Sequence, residues 1–211
     1  MEIDIRKCSK ADSDEIFNQI ANLHKQEISQ GSIAKWGLRA VSELYRFVAA
    51  HSRSFIFIAQ AEGRVIGFIA GSESTRSLYI DFLKSNFIKN LILFLPEVLS
   101  PRRFYKAVET LMYPSRRKSA HEVPEPEILN FCVDHHTQGA GMGGRLFGAL
   151  LAEFQKRGIQ KLGIITGSNQ KSAQRFYEKR GAQRLGEAEL HSGVKSVTYT
   201  FLIPQRSEGQ S

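Results

Sequence analysis

The chain has 211 residues, of which 42% are hydrophobic and 24% are charged, and its formal net charge is +8 at pH 7. This composition is that of a globular protein and excludes disordered, collagen-like and disulfide-stapled small folds, while the longest strictly apolar run, residues 91–95, is too short to span a bilayer. The positive charge suits a polyanion, but the basic runs are short and carry no interleaved aromatic residues, so no nucleic-acid partner is expected.

The two cysteines, Cys8 and Cys132, lie far apart in the sequence. The first ten residues, "MEIDIRKCSK", contain no apolar signal core. We therefore expect reduced thiols and a cytoplasmic location.

The N-terminal third predicts a strand, two helices and a hairpin. "IDIRKCS" is typical of a strand, and "KADSDEIFNQIANLHKQEI" has helical spacing of its apolar residues, with Ser9 as the candidate N-cap. "WGLRAVSELYRFVAAH" predicts a second amphipathic helix. The β-rich runs "SFIFIAQ" and "VIGFIAG" flank "AEGR", which predicts a hairpin.

The character of the sequence changes over residues 78–126. Two helical stretches are predicted up to residue 113, with breaks near Pro96 and Pro101. The following stretch, "PSRRKSAHEVPEPE", is rich in proline and charge and predicts an exposed linker.

The remaining residues predict a compact strand–helix–strand–helix block and a final strand pair. "ILNFCV" and "LGIITG" are apolar enough to be buried strands, and a right-handed crossover between them makes the pair parallel. The helix between them ends near Gly158, and the helix "QKSAQRFYEKR" ends near Gly181. Two last strands, "AQRLGEAEL" and "KSVTYTFLI", turn at "HSG".

The loop "DHHTQGAGMGGR" places four glycines at the beginning of an apolar helix. It matches the dinucleotide fingerprint, but five residues separate the strand from the first glycine and no carboxylate ends the next strand, which disfavours a Rossmann fold. Amides of Gly139 to Gly144 are nevertheless suited to hold a pyrophosphate, because the first helical turn has unpaired N–H groups and a positive dipole end. The alternative is a tight turn whose glycines only allow close packing.

The block "GSNQKSAQRFYEKRGA" emerges at the same edge of the sheet and favours the ligand interpretation. Asn169 can cap the helix and present its amide, while Ala173, Phe176 and Arg180 share one helix face. Phe176 is equally suited to the core. Tyr177 is a candidate proton donor if its hydroxyl is linked to solvent.

Together these two blocks resemble the GNAT-type N-acetyltransferases, which bind acetyl-CoA. The family signature Gln/Arg-x-x-Gly-x-Gly/Ala corresponds to Gln138-Gly-Ala-Gly141-Met-Gly143, and its second block corresponds to Asn169 followed by "FYEKRG". The resemblance implies an α+β fold with a mixed, mostly antiparallel central sheet, a parallel splayed strand pair and flanking helices. Residues 1–205 would form a single domain, residues 78–126 a helical insertion that departs from the family, and residues 206–211 a C-terminal tail.

The resemblance also implies the roles of individual residues. Backbone groups near Cys132 and Val133 would bind the pantetheine amides and polarise the acetyl carbonyl. Asn169, Ala173 and Phe176 would contact the cofactor arm, and Tyr177 would protonate the departing thiolate. The pyrophosphate would be held by Gln138, Gly139, Ala140, Gly141, Met142, Gly143 and Gly144.

The implied reaction moves an acetyl group from acetyl-CoA to a primary amine of a small molecule, amino sugar or peptide by direct attack. The alternative is a non-catalytic acyl-CoA sensor or interaction module on the same fold. Direct attack makes Cys132 a pocket wall rather than the site of an acyl-enzyme. His135 and His136 suggest a solvated loop rather than a metal site, because no second Cys/His cluster has zinc spacing.

Several questions stay open at this point. The general base is not assigned: His24, Glu27 and Glu73 lie in segments that could face the acceptor, and a water chain would also serve. The apolar insertion fits a lid, a pocket for an apolar or sugar-nucleotide acceptor, or a dimer or membrane-peripheral face. A homodimer is possible, and peripheral membrane contact is the less favoured interpretation.

Overall fold

The computed structural model describes residues 2–28, 33–85, 123–137, 141–191 and 194–204, which form one seven-stranded sheet with helices on both faces. The sheet order is β1-β2-β3-β4-β5-β7-β6. The strands are β1 (Asp4–Lys7), β2 (Ser54–Ala61), β3 (Arg64–Ser72), β4 (Glu127–Val133), β5 (Lys161–Gly167), β6 (Gln183–His191) and β7 (Val194–Leu202). The helices are α1 (Asp14–Glu27), α2 (Leu38–Ala50), α3 (Thr75–Ser85), α4 (Met142–Lys156) and α5 (Lys171–Glu178), with short 3₁₀ turns at Ile33–Lys35 and His135–Thr137.

Every neighbouring strand pair except β4–β5 is antiparallel, which confirms the implied fold class. The predicted hairpin joins β2 to β3, with Glu62 and Gly63 both in the left-handed region of backbone space, as in type I′ turns. β6 and β7 form the predicted final pair, although residues 192 and 193 of their turn lie outside the described residues.

The parallel pair β4–β5 opens into a gap at the centre of the sheet. Within the described residues the two strands share one register pair, Glu127 with Gly163, and the Gly163 N–H donates to the Pro126 carbonyl at 2.7 Å. β4 is fully paired with β3 on its other side, and β5 with β7. A bulge at Leu129 bends β4, because Ala70 faces Asn130 while Gly71 faces Ile128. The gap therefore separates two halves of one sheet.

Two hydrophobic cores fill the two faces of this sheet. The first packs α1, α2 and α3 against β2, β3 and β4, around Phe17, Leu44 and Phe68. The second packs α4 and α5 against the opposite face, around Leu150 and Phe154. The apolar stripes that predicted these helices account for the arrangement, since each stripe faces the sheet.

Two predicted helix caps are wrong. α1 begins at Asp14 with Ser13 at its N-cap, because the Ser9 N–H donates to the Asp12 carboxylate at 2.7 Å and forms a separate turn. α5 begins after Gln170 rather than Asn169, because the Gln170 side chain accepts from the Gly167 N–H at 3.0 Å and closes the turn.

Glu127 also differs from the prediction that placed it in an exposed linker. It is the first residue of β4, it is buried, and its carboxylate accepts a hydrogen bond from the Thr75 hydroxyl. The insertion is described only at its beginning, where α3 starts three residues before the predicted boundary. Residues 86–122 lie outside the described residues, so the breaks at Pro96 and Pro101 stay predictions, as does the domain boundary. No described helix is long and apolar enough to cross a bilayer.

Candidate active site between two diverging strands

The gap between β4 and β5 leads directly to the glycine-rich end of α4. Beyond Glu127 and Gly163, one edge of each strand faces the gap instead of a strand partner. Cys132 and Val133 lie near the end of β4, where their side chains point to opposite faces: Cys132 belongs to the α1 and α2 core, and Val133 packs on the α4 core. Cys132 and Val133, the two residues predicted to bind the pantetheine arm, therefore border the gap.

Cys132 is not suited to act as a nucleophile. Its side chain is buried, and desolvation raises the pKa of the Cys132 thiol well above its usual value, helped by the charges of Glu27 and Asp134. A thiol must ionise to attack, and burial with two nearby carboxylates keeps this one protonated. The geometry agrees with a pocket wall.

The beginning of α4 has amides without a partner inside the helix, beside space that no described atom fills. Gly141 takes φ +72°, and a Cβ added there would meet no described atom within 4 Å. The Arg145 N–H makes the first helical bond, to the Gly141 carbonyl at 3.2 Å, so the preceding helical N–H groups have no partner inside the helix. Gln138, Gly139 and Ala140 lie outside the described residues, and their roles stay predictions.

The next three residues serve different purposes. The Met142 side chain is buried in the core, which leaves only its backbone for a ligand. A Cβ on Gly143 would lie 3.4 Å from Phe176 and 3.5 Å from Phe131. A Cβ on Gly144 would lie 3.0 Å from a guanidinium nitrogen of Arg180. Glycine at 143 and 144 thus lets the mouth of the helix approach the second predicted block.

Aromatic side chains from β4, α4 and α5 pack together next to the beginning of α4. The ring of Phe176 lies 5.3 Å from Phe131 of β4 and 5.7 Å from Phe147 of α4, between ring centroids, in edge-to-face contacts. Ala173 and Phe176 are half-buried and pack against the α4 core. The interpretation of Phe176 as a core residue is confirmed, and its contact with the cofactor arm stays a prediction.

Tyr177 lies beside these aromatic side chains rather than at an open cleft edge. Its ring centroid is 6.4 Å from that of Phe131, and the residue is 4% exposed. Burial raises the pKa of the Tyr177 phenol, so the hydroxyl keeps its proton throughout the neutral pH range. Asn169 stands where β5 leads into α5, with its Oδ1 2.9 Å from the position of a Cβ on Gly167.

Arg180 lies at the site although no role there was predicted for it. Its guanidinium stacks 3.6 Å above the centroid of the Phe176 ring and donates to the Phe176 carbonyl at 3.1 Å. These contacts bring a cation next to Gly144, at the mouth of α4. The shared helix face with Phe176 was the available signal, but the meeting with Gly144 depends on how two helices pack.

The three candidate bases are far from equivalent. His24 is buried between Tyr45 and Phe68, and Glu73 binds Arg157 at 2.7 Å and Arg53 at 3.6 Å. Glu27, the last residue of α1, reaches the turn after β4, where its carboxylate is 2.7 Å from the Nδ1 atom of His135. Only Glu27 among these three combines proximity to Cys132 with contact to the turn that precedes the glycine loop.

His135 and His136 lie on an exposed turn, as predicted. Together with Asp134 they bring ligand-type atoms within 4.8 Å of one another. This proximity follows from their adjacency in one short turn, and the imidazole of His135 is hydrogen bonded to Glu27. We therefore interpret Asp134, His135 and His136 as a turn that is hydrogen bonded to Glu27, and not as a metal centre.

The comparisons with known proteins agree with this geometry. The model of the Acetyltransferase (GNAT) family matches residues 18–182. Among solved structures, an N-acetyltransferase from Staphylococcus aureus Mu50 is similar at a TM-score of 0.61 and 13% identity, over 97% of this chain and 100% of that one. Ard1 from Thermoplasma volcanium is similar at a TM-score of 0.59 and 16% identity, over 97% of this chain and 100% of that one. The ribosomal-protein-S18-alanine N-acetyltransferase from Escherichia coli is similar at a TM-score of 0.56 and 13% identity, over 100% of this chain and 99% of that one. No curated protein matches the sequence.

Proposed function

Because the chain belongs to the GNAT acetyltransferase family, and is thus an acyltransferase that takes its acetyl group from acetyl-CoA, we propose that it acetylates a primary amine by direct attack. The acceptor would be a small molecule, an amino sugar or a peptide. One observation carries the proposal: the β4–β5 gap leads to the open, glycine-rich mouth of α4. A thioester arm and its diphosphate need such a groove with an anion site at one end.

The residues around the mouth of α4 would hold the diphosphate. Amides from Gly141 to Gly144 can donate to phosphate oxygens, and Arg180 adds a positive charge at 3.0 Å from the Cβ position of Gly144. Gln138, Gly139 and Ala140 would complete the cradle. Asn169, Ala173 and Phe176 would contact the arm along the gap.

The backbone near Cys132 and Val133 would bind the arm and polarise the acetyl carbonyl. A thioester brings a good leaving group, so a neutral amine can attack its carbonyl without a protein nucleophile. Backbone N–H groups aimed at the carbonyl oxygen would stabilise the charge that develops there. The protonated state of Cys132 supports this direct route over an acyl-enzyme.

Tyr177 would supply the proton to the departing sulfur. Its buried phenol stays protonated, and the dry environment that raises the pKa of Tyr177 would raise that of a thiol beside it as well. The phenol therefore reaches this step with its proton in place, as a general acid must.

We expect acetyl-CoA turnover with at least one member of a panel containing lysine, a polyamine, glucosamine and short peptides with free N-termini. Tyr177→Phe should lower kcat by roughly 10²-fold and leave the Kd for CoA nearly unchanged, because only the proton-donating hydroxyl is removed. Release of CoA thiol and calorimetric titration with CoA measure the two quantities.

Tyr199→Phe is the matched control, since Tyr199 is also a buried tyrosine but donates to Glu178 at 2.9 Å. An unchanged rate in Tyr177→Phe would remove Tyr177 from the role of acid. Tight CoA binding with no turnover on any amine would favour the alternative of an acyl-CoA sensor.

A further inference from the structure

Glu27 and His135 form a hydrogen-bonded pair across two elements that the chain separates by 108 positions. One carboxylate oxygen of Glu27 lies 2.7 Å from His135 Nδ1 and accepts from the His135 backbone N–H at 3.3 Å. A carboxylate can only accept, so Nδ1 carries a proton and the free lone pair belongs to Nε2. The pair thus fixes both the tautomer and the position of the imidazole.

The turn that carries His135 is also held by contacts that do not involve Glu27. Asp134 accepts from the His136 N–H through its side chain at 2.9 Å and from the Thr137 N–H through its carbonyl at 2.9 Å. One residue, Asp134, separates the end of β4 from this turn, which leads to the glycine loop. The imidazole therefore stands on a defined support, and its exposed ring can exchange protons with water.

The pair also lies on the side of the sheet from which an acceptor would arrive. α1 covers the face opposite α4 and α5, and the Cys132 side chain points to that same face. Glu27 is near enough to Cys132 to raise the pKa of its thiol. Cys132 and Val133 border the gap in which the thioester is proposed to lie.

Resting on the proposed function, we infer that His135 is the base that accepts the proton of the acceptor ammonium and that Glu27 is its positioning residue. The ammonium proton moves to Nε2 of His135, and the freed nitrogen lone pair attacks the thioester carbonyl. The C–N bond forms as the C–S bond breaks, and Tyr177 gives its proton to the departing sulfur. The second proton that nitrogen loses passes through solvent and restores the Tyr177 phenol. The imidazolium then returns its proton to solvent.

The charges around His135 set the direction of the pH dependence. Among the described residues these are Glu27 from α1, Asp134 at 3.9 Å on its own turn, and the His136 ring at 3.8 Å between centroids. The hydrogen bond that His135 donates to Glu27 is the largest influence and raises the pKa of His135. Because a base must be neutral, kcat/KM should rise with pH through that raised pKa.

The test is the pH profile of kcat/KM, measured with the fastest acceptor of the amine panel. His135→Gln should lower kcat/KM about 10²-fold at pH 7 and remove the rise on the acid side. Glu27→Gln should keep that rise but move it to lower pH, a displacement that a merely structural contact would not produce. His136→Gln, the neighbouring imidazole, is the matched control and should leave the profile unchanged.

A normal profile in His135→Gln would overturn the assignment while the turnover itself still stands, whereas absence of turnover in the unaltered protein would defeat the proposed function. An acid limb that survives in His135→Gln but is lost in Glu127→Gln would move the base to the buried carboxylate at the floor of the gap. Activity that a chelator removes and Zn²⁺ restores would also overturn it, since the imidazole would then be a ligand.

Discussion

At the scale of single residues, the site depends on backbone groups more than on side chains. Gly141 holds the left-handed conformation from which α4 begins, and its missing side chain leaves open space before the first helical amides. Gly158 holds nearly the same conformation, φ +74° against +72°, just beyond the other end of α4. Both glycines therefore need a positive φ, but only Gly141 lies at the beginning of α4, where the proposed phosphate cradle is.

Gly141→Val should weaken CoA binding by at least tenfold, because its side chain would enter the phosphate cradle. Gly158→Val imposes a similar backbone strain without touching the cradle, so it should lose stability comparably and keep the Kd for CoA. Calorimetric titration and thermal unfolding separate the two effects. Equal losses of affinity in both variants would mean that strain alone, and not the cradle, explains the weakening.

At the scale of elements, the helices are placed on the sheet by close contacts that the sequence shows only as apolar stripes. Gly71 of β3 lies under α4, where an added Cβ would stand 3.0 Å from both Phe154 and Phe55. These two rings are fully buried and meet edge to face, with 4.9 Å between centroids. The lack of a side chain at Gly71 allows the helix to approach the strand.

Gly71→Ala should destabilise the protein by about 1–3 kcal/mol, because two packed rings must move to admit one methyl group. Gly148→Ala is the matched control: Gly148 is an exposed position inside α4 with no described atom near its Cβ position. It should stabilise by about 0.5–1 kcal/mol, since alanine favours the helix. Urea unfolding measures both, and a neutral Gly71→Ala would show that the rings yield freely.

At the scale of the whole molecule, the acceptor-side core contains a polar pair within apolar surroundings. The Nδ1 atom of His24 lies 2.5 Å from the Tyr45 hydroxyl, and His24 is 1% exposed. Its Nε2 is buried without a hydrogen-bond partner among the described residues. Burial, with a smaller contribution from Lys25, lowers the pKa of His24 to about 4, so the native state holds this imidazole neutral.

The folding free energy should therefore depend on pH through His24. Between pH 6.5, where a free imidazole titrates, and about pH 4, the unfolded state takes up a proton that the native state refuses. Stability should fall by up to about 3 kcal/mol as pH drops through this window. His24→Phe should keep the stacking on Phe68, lower stability at pH 7 and flatten the decline of stability with falling pH. The control His136→Gln should leave that decline as steep as in the unaltered protein. Urea unfolding at a series of pH values checks this, and an equally steep decline in His24→Phe would contradict it.

The sequence alone determined the order of the described elements, the parallel strand pair and the family. Periodicity sets which face of an element is apolar, and the loop and "FYEKRG" blocks carry local backbone requirements that no distant residue can alter. The two wrong caps, at Ser9 and Asn169, lie in local turns closed by a neighbouring side chain, since Asp12 accepts from the Ser9 N–H and Gln170 accepts from the Gly167 N–H.

Only the tertiary structure decided which polar groups meet. Glu127 looked like part of an exposed linker but is buried beside Thr75, Arg180 approaches Gly144, and Glu27 reaches His135. Each meeting joins residues that are distant in the chain, and side-chain spacing within one element carries no information about them. How α1, α3 and α5 pack on a sheet divided between β4 and β5 sets these distances.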